Sequence, residues 1–134
     1  MISVSLARQL RVAGVRWSPG PGDRFIVERP GMDGDVFVVS DMTVEVHDVP
    51  GGQVIGFNGT TEWALDSVDT TDALWLPRES QLREALGGTF RTFERTGSGW
   101  RVVSAVNDAV QISEHADAEE AYALALLKLL DALR

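Results

Sequence analysis

The chain has no cysteine. Disulfides, thiolate zinc sites and cysteine nucleophiles are therefore excluded together, and the composition fits the reducing cytoplasm. Lysine is almost absent as well: eleven arginines stand beside the single Lys128. With abundant Ala, Val, Gly and Asp, that ratio matches the coding bias of a high-GC bacterial genome. No apolar run approaches the roughly 20 residues of a membrane-spanning helix, the longest lying near Ala121 to Leu127. Arg8 and Arg11 interrupt the amino-terminal segment where a secretory leader needs an unbroken apolar stretch.

The most informative shortage is local. Between Arg29 and Arg78 there is no basic residue, yet Asp33, Asp35, Asp41, Glu45, Asp48, Glu62, Asp66, Asp69 and Asp72 fall in that stretch. These acids alternate with Val, Phe, Trp and Leu, so the block reads as a folded acidic surface and not as a charged tail. The whole chain carries a net charge of −8. A field of that sign repels phosphate backbones, which excludes nucleic acid as the expected partner.

What is present suits one domain. At 134 residues, with 44% hydrophobic and 24% charged residues, a chain buries roughly two-thirds of its unfolded surface and needs no covalent staple. Separate subdomains for the early and late strand groups would each have a small core, so the expectation is a single α+β domain over residues 1–134.

The periodicity predicts a short amphipathic helix over Ser3 to Ala13, closed by Gly14. A loop, SPGPGD, follows, and then a strand, RFIVE. After the turn RPGMDG, the β-branched run VFVVS reads as a central strand, and MTVEVHDV, PGG and QVIGF as a hairpin or adjoining strands. TEWALDSV, with caps available at Asn58, Thr60 or Thr61, reads as a short helix ending among Asp66 and Asp69. Leu74 to Leu76 forms an apolar bridge or brief strand. PRESQLREALGG reads as a helix with Pro77 in its first turn, Leu82, Ala85 and Leu86 inward, and Gly87 as its stop.

The last third has the plainest pattern. TFRTFER, WRVVSAV and AVQISEH, separated by TGSG and by Asn107–Asp108, predict a three-stranded antiparallel meander. Asp117 then opens a helix with Glu120 at the capping-box position and Tyr122, Ala125, Leu126, Leu129 and Leu133 on its apolar stripe. Leu124 and Leu127 widen that stripe, which suits either a deeply embedded helix or a homodimer contact. The architecture expected is a mainly antiparallel sheet packed by this long carboxy-terminal helix and by shorter helices.

Catalytic motifs are missing. Neither His47 nor His115 has a second histidine at ligand spacing. Asp48 is next to His47, but neighbouring strand residues point to opposite faces. Asp66, Asp69 and Asp72 recur every third residue, without the alternate acids, central glycine and final glutamate of a calcium loop. No G-x-S-x-G, Walker lysine loop or G-x-G-x-x-G occurs, so no cofactor, metal or catalytic residue is assigned. Trp63 and Trp75 flank the aspartate series, and aromatic anchors inside a charged rim suit a basic protein or peptide. The expected binding surface is accordingly Trp63, Asp66, Asp69, Asp72 and Trp75. The competing reading places both tryptophans in the core.

VFVVSDMTVEVHD, GFNGTTEWALDSV and ALWLPRESQLREAL together resemble a group of small actinobacterial proteins of unassigned function, some bearing a pilus-assembly label. A fainter likeness is to phage and prophage proteins sharing an amino-terminal helix, a tryptophan-bearing middle and a terminal hairpin followed by an E-E-A helix. Neither likeness implies an activity or a site residue. The pilus label, borne by assembly proteins that resemble ATPases, implies a nucleotide domain that this chain has neither the lysine loop nor the length to form. The expected function is a non-enzymatic cytoplasmic interaction module. A small hydrolase or divalent-metal enzyme using His47 or His115, and a phage-related or immunity-type inhibitor, are the alternatives.

Overall fold

The computed structural model describes residues 1–28, 34–39 and 72–133, and the backbone of three further strands at 44–49, 52–57 and 67–69. In chain order the elements are helix α1 (Val4–Val12), strands β1 (Arg24–Val27), β2 (Val36–Val38), β3 (Val44–Val49), β4 (Gly52–Phe57), β5 (Ser67–Asp69) and β6 (Ala73–Leu76), helix α2 (Glu79–Leu86), a 3-10 turn (Gly87–Thr89), strands β7 (Phe90–Arg95), β8 (Trp100–Val106) and β9 (Ala109–His115), and helix α3 (Ala118–Ala132). The class is α+β, and every described strand pair is antiparallel. Two compact units divide the chain: Met1–Val15 with Pro77–Arg134, and Arg16–Leu76.

The first unit is the sheet β7–β8–β9 covered by α3, with α1 and α2 also packed on α3. Strand β8 lies in the middle and alternates cleanly: Val102, Ser104 and Val106 are buried, while Arg101, Val103 and Ala105 are partly exposed. Toward α3 the aromatic rings form a chain. Phe93 stacks on Trp100 at 4.8 Å and on Tyr122 at 5.0 Å, and Phe90 reaches Tyr122 at 6.0 Å. The Arg95 guanidinium closes the open end over Trp100, 4.8 Å from the ring centre. Tyr122, Ala125, Leu126 and Leu129 are buried as the stripe predicts, whereas Leu133 follows the last helical turn and is exposed. Complete burial of a leucine or aromatic side chain contributes about 1.5–3 kcal/mol, so this helix–sheet face dominates the stability of the unit.

Local chemistry sets the ends of the elements. Ser3 Oγ accepts the Leu6 N–H at 3.1 Å to start α1. Gly14, at φ 107°, ends it by bringing the Val15 N–H to the Leu10 carbonyl at 3.0 Å. In α2 the helix begins after Arg78, so Pro77 precedes the cap and does not occupy the first turn, and Ala85 faces solvent while Leu82 and Leu86 are buried. Gly99 admits no side chain, because a Cβ there would lie 2.6 Å from the Ala116 Cα.

In the second unit β1 lies between β2 and β6, with Phe25 opposite both Phe37 and Trp75. Among the described residues, Val36–Val38 of VFVVS pairs with β1 alone and so lies at an edge, contrary to the central position its composition predicts; Val36 and Val38 are exposed, whereas Val39, beyond the strand, is buried. β-Branched residues suit any pleated surface, so composition does not distinguish edge from centre. The strands β3 and β4 form the expected hairpin, and β5 adds to β4 with Val68 opposite Ile55. Ser67 and Val68 thus belong to a strand and not to the predicted helix end, ladder pairing having overridden local propensity. The remaining residues of that predicted helix, 61–66, lie outside the described residues.

The turn joining β8 to β9 places two non-glycine residues at positive φ, Asn107 at 49° and Asp108 at 66°. This type I′ geometry matches the twist of paired strands but favours glycine second. Asp108→Gly is expected to stabilise the chain by about 1 kcal/mol by removing the left-handed cost, read as a higher midpoint in urea unfolding with an unchanged slope.

Candidate functional site

The five residues predicted to form a binding surface are treated unequally by the structure. Trp63 and Asp66 lie outside the described residues. Asp69 ends β5, its backbone opposite Val54 of β4. Asp72 occupies the turn before β6, half-buried, and its carbonyl accepts the Glu28 N–H at 2.7 Å. Trp75 lies in β6 and belongs to a row of aromatic side chains. Phe37, Phe25 and Trp75 face one another across the sheet, and Trp17 lies beside the row, parallel to Trp75 at 6.5 Å and tilted on Phe25 at 5.3 Å. Trp75 is partly exposed, and its indole nitrogen is buried with no hydrogen-bond partner.

Trp17 is positioned by a buried carboxylate. Asp23, only 4% exposed, accepts the Trp17 indole N–H at 2.9 Å and the Gly20 N–H at 3.0 Å. Its backbone ties the same loop to β2, since Val39 N–H donates to the Asp23 carbonyl at 2.8 Å and Gly22 N–H to the Val39 carbonyl at 2.9 Å. SPGPGD is thus a loop in conformation and a clamp in function. The only sequence signal for it is an aspartate six residues after a tryptophan, with Pro–Gly pairs bending the chain between them.

A second ionisable cluster surrounds the start of α3. Asp117 caps the helix by accepting the Glu120 N–H at 3.0 Å, and it meets the Met1 amine at 2.9 Å. The Met1 amine also lies 3.4 Å from Glu119. Glu119 reaches across to accept the Glu79 N–H at 2.8 Å, covering the first turn of α2. Glu120 is 8% exposed and does not complete the expected capping box. It instead accepts the backbone N–H of Ser3, while the Asp117 N–H donates to His115 Nδ1 at 3.0 Å. One carboxylate therefore joins α1 to α3.

His115 is the only histidine whose side chain is described, and its geometry decides its chemistry. With Nδ1 accepting a backbone proton, the ring hydrogen resides on Nε2, which faces Glu120 at 4.0 Å. A general base needs a lone pair directed at substrate, and this ring offers none. The arrangement fastens the end of the meander to the helix start. His47 lies in β3 opposite Val54, and only its backbone is described. Among the described residues no three His, Asp or Glu side chains gather as a metal site.

The cap has a pH consequence. Burial raises the Asp117 carboxyl pKa, but the hydrogen bond and positive charge of the Met1 amine, together with the Glu120 and Glu119 N–H groups, outweigh it and hold the group below its ordinary 3.8. A carboxyl depressed on folding contributes stability that is present above the unfolded value and lost as pH falls through the folded one. Asp117→Asn keeps a capping oxygen and removes the charge, so it is expected to cost about 0.5–1 kcal/mol at neutral pH through lost attraction to the helix N-terminus and the Met1 amine, with the gap from wild type closing below pH 3.8 in unfolding measured across pH. In the other unit, Asp23→Ala leaves the Trp17 and Gly20 donors without this acceptor and is expected to cost about 3 kcal/mol. A double-mutant cycle with Trp17→Phe should recover a coupling of about 1–2 kcal/mol.

Compared with protein-family models, with curated proteins and with solved structures, the chain has no match.

Proposed function

We propose that the chain is a non-enzymatic interaction module in which residues 16–76 present an acidic surface to a basic protein or peptide. One observation carries this reading. Residues 16–76 hold eleven carboxylates against three arginines, whereas the rest of the chain holds nine carboxylates against eight arginines and Lys128, so the whole net charge of −8 belongs to one compact unit. A charge imbalance of this size confined to one unit lowers the stability of that unit by self-repulsion, and a basic partner relieves the cost.

The His115 geometry supports the non-enzymatic part of the reading, since both ring nitrogens are engaged in structural contacts. Cytoplasmic residence is part of the proposal and rests on the cysteine-free composition. Among the described residues, no helix is long and apolar enough to cross a membrane. Trp63, Asp66, Asp69, Asp72 and Trp75 are the residues assigned to the contact, with the tryptophans as anchors and the aspartates as the rim.

The test is affinity capture with the full chain against the Asp66→Asn, Asp69→Asn, Asp72→Asn triple variant. A partner bound by wild type should associate about tenfold more slowly with the variant, and should be released as salt shortens the screening length below about 10 Å. Equal binding by both proteins places the contact elsewhere. Binding that ignores salt removes the electrostatic basis.

A further inference from the structure

Strand β9 is an edge: among the described residues it pairs with β8 alone. The two-residue turn dictates which of its backbone groups remain open. Val106 and Ala109 flank that turn and exchange both hydrogen bonds, and the pairing alternates from there. Ser104–Gln111 and Val102–Ser113 are thus bonded pairs, while Val110, Ile112 and Glu114 turn their N–H and C=O groups away from β8. The side chains of the same three residues stand on the sheet face away from α3, with Val110 64% and Ile112 53% exposed. An open edge bearing exposed β-branched residues is a template for strand addition.

One group interrupts that template. From α3, the Lys128 ammonium donates to the Ile112 carbonyl oxygen, at the middle of β9. It is the single lysine of the chain. An ammonium on a flexible stem can cap one carbonyl as a point donor, and a charge beside an edge strand opposes pairing with another chain.

We infer that Lys128 is an edge guard, and that loss of its charge lets β9 pair antiparallel with β9 of a second copy to form a continuous six-stranded sheet. The register selects a second copy as the occupant. A two-fold axis at Ile112 sets Ile112 against Ile112, Val110 against Glu114, Gln111 against Ser113 and Ala109 against His115, so apolar residues meet at the axis and no like charges face each other. With Lys128 charged, the same axis brings two ammonium groups to neighbouring carbonyls, and their repulsion adds to the competition for Ile112.

Sedimentation velocity over a concentration series, on full-length wild type, Lys128→Arg and Lys128→Met, tests the inference. Wild type and Lys128→Arg are expected to sediment as monomers, and Lys128→Met as a species of twice the mass. Because the chain lacks cysteine, Ile112→Cys reports the register: bonded antiparallel partners have Cα atoms about 5.5 Å apart, within disulfide reach. Oxidation should give covalent dimers from Ile112→Cys/Lys128→Met but not from Ile112→Cys alone. Acetylating folded wild type neutralises Lys128 without refolding, and acetylated Lys128→Arg controls for the terminal amine. A folded Lys128→Met protein or acetylated wild type that stays monomeric at every concentration overturns the inference. So does a dimer that fails to cross-link through residue 112.

Discussion

The first unit depends on the burial of one face of α3 against a sheet of only three strands. The helix covers one face of that sheet, and without it Val102, Val106 and the Phe93–Trp100 pair would meet water. Helix α3 supplies the cover with Tyr122 and a run of alanines and leucines, and its remaining sides receive α1 and α2. The small residues Ala121, Ala123 and Ala125 let several elements approach one helix closely. The breadth of apolar surface in its sequence is used in this way, as a hub for three neighbours.

Polar contacts add order to that packing more than they add stability. Glu120 and Asp23 are both buried carboxylates, and each accepts backbone or indole N–H groups in place of water. Buried charge is tolerated only when its acceptor sites are filled by well-placed donors. In the first unit this requirement fixes where α1 meets α3; in the second it reinforces a loop of prolines and glycines that backbone hydrogen bonds also tie to Val39. Each carboxylate thereby holds one specific contact, Glu120 to the Ser3 N–H and Asp23 to the Trp17 and Gly20 N–H groups.

The ease of reading the sequence follows contact distance. The meander and α3 were legible because each element touches its neighbour in the chain, and hydrophobic period and turn chemistry act over a few residues. Asp117 was recognisable as a cap for the same reason. The role of Glu120 was not, because its partner Ser3 is 117 positions away and nothing at either place marks the other. Strand β1 pairs with β6 across the whole acidic stretch, so the central place of RFIVE and the edge place of VFVVS were equally hidden. Of the expected contact surface, Trp75 is shared between an aromatic row and partial exposure, a combination that period-two alternation does not encode.

The first unit takes its residues from both sides of the second, with 1–15 joining 77–134 around 16–76. The meander and α3 are built from contiguous chain and can assemble as soon as they are made. Helix α1, although synthesised before the rest of its unit, lacks its contact with α3 until that helix exists, and its arrival must close a loop holding the entire acidic unit. The entropic cost of closure grows only logarithmically with loop length, so a compact 16–76 or an expanded one changes it little. The order of synthesis and the order of assembly therefore run in opposite directions for this helix, leaving Leu6 and Leu10 without the cover of α3 until residues 118–132 have been made.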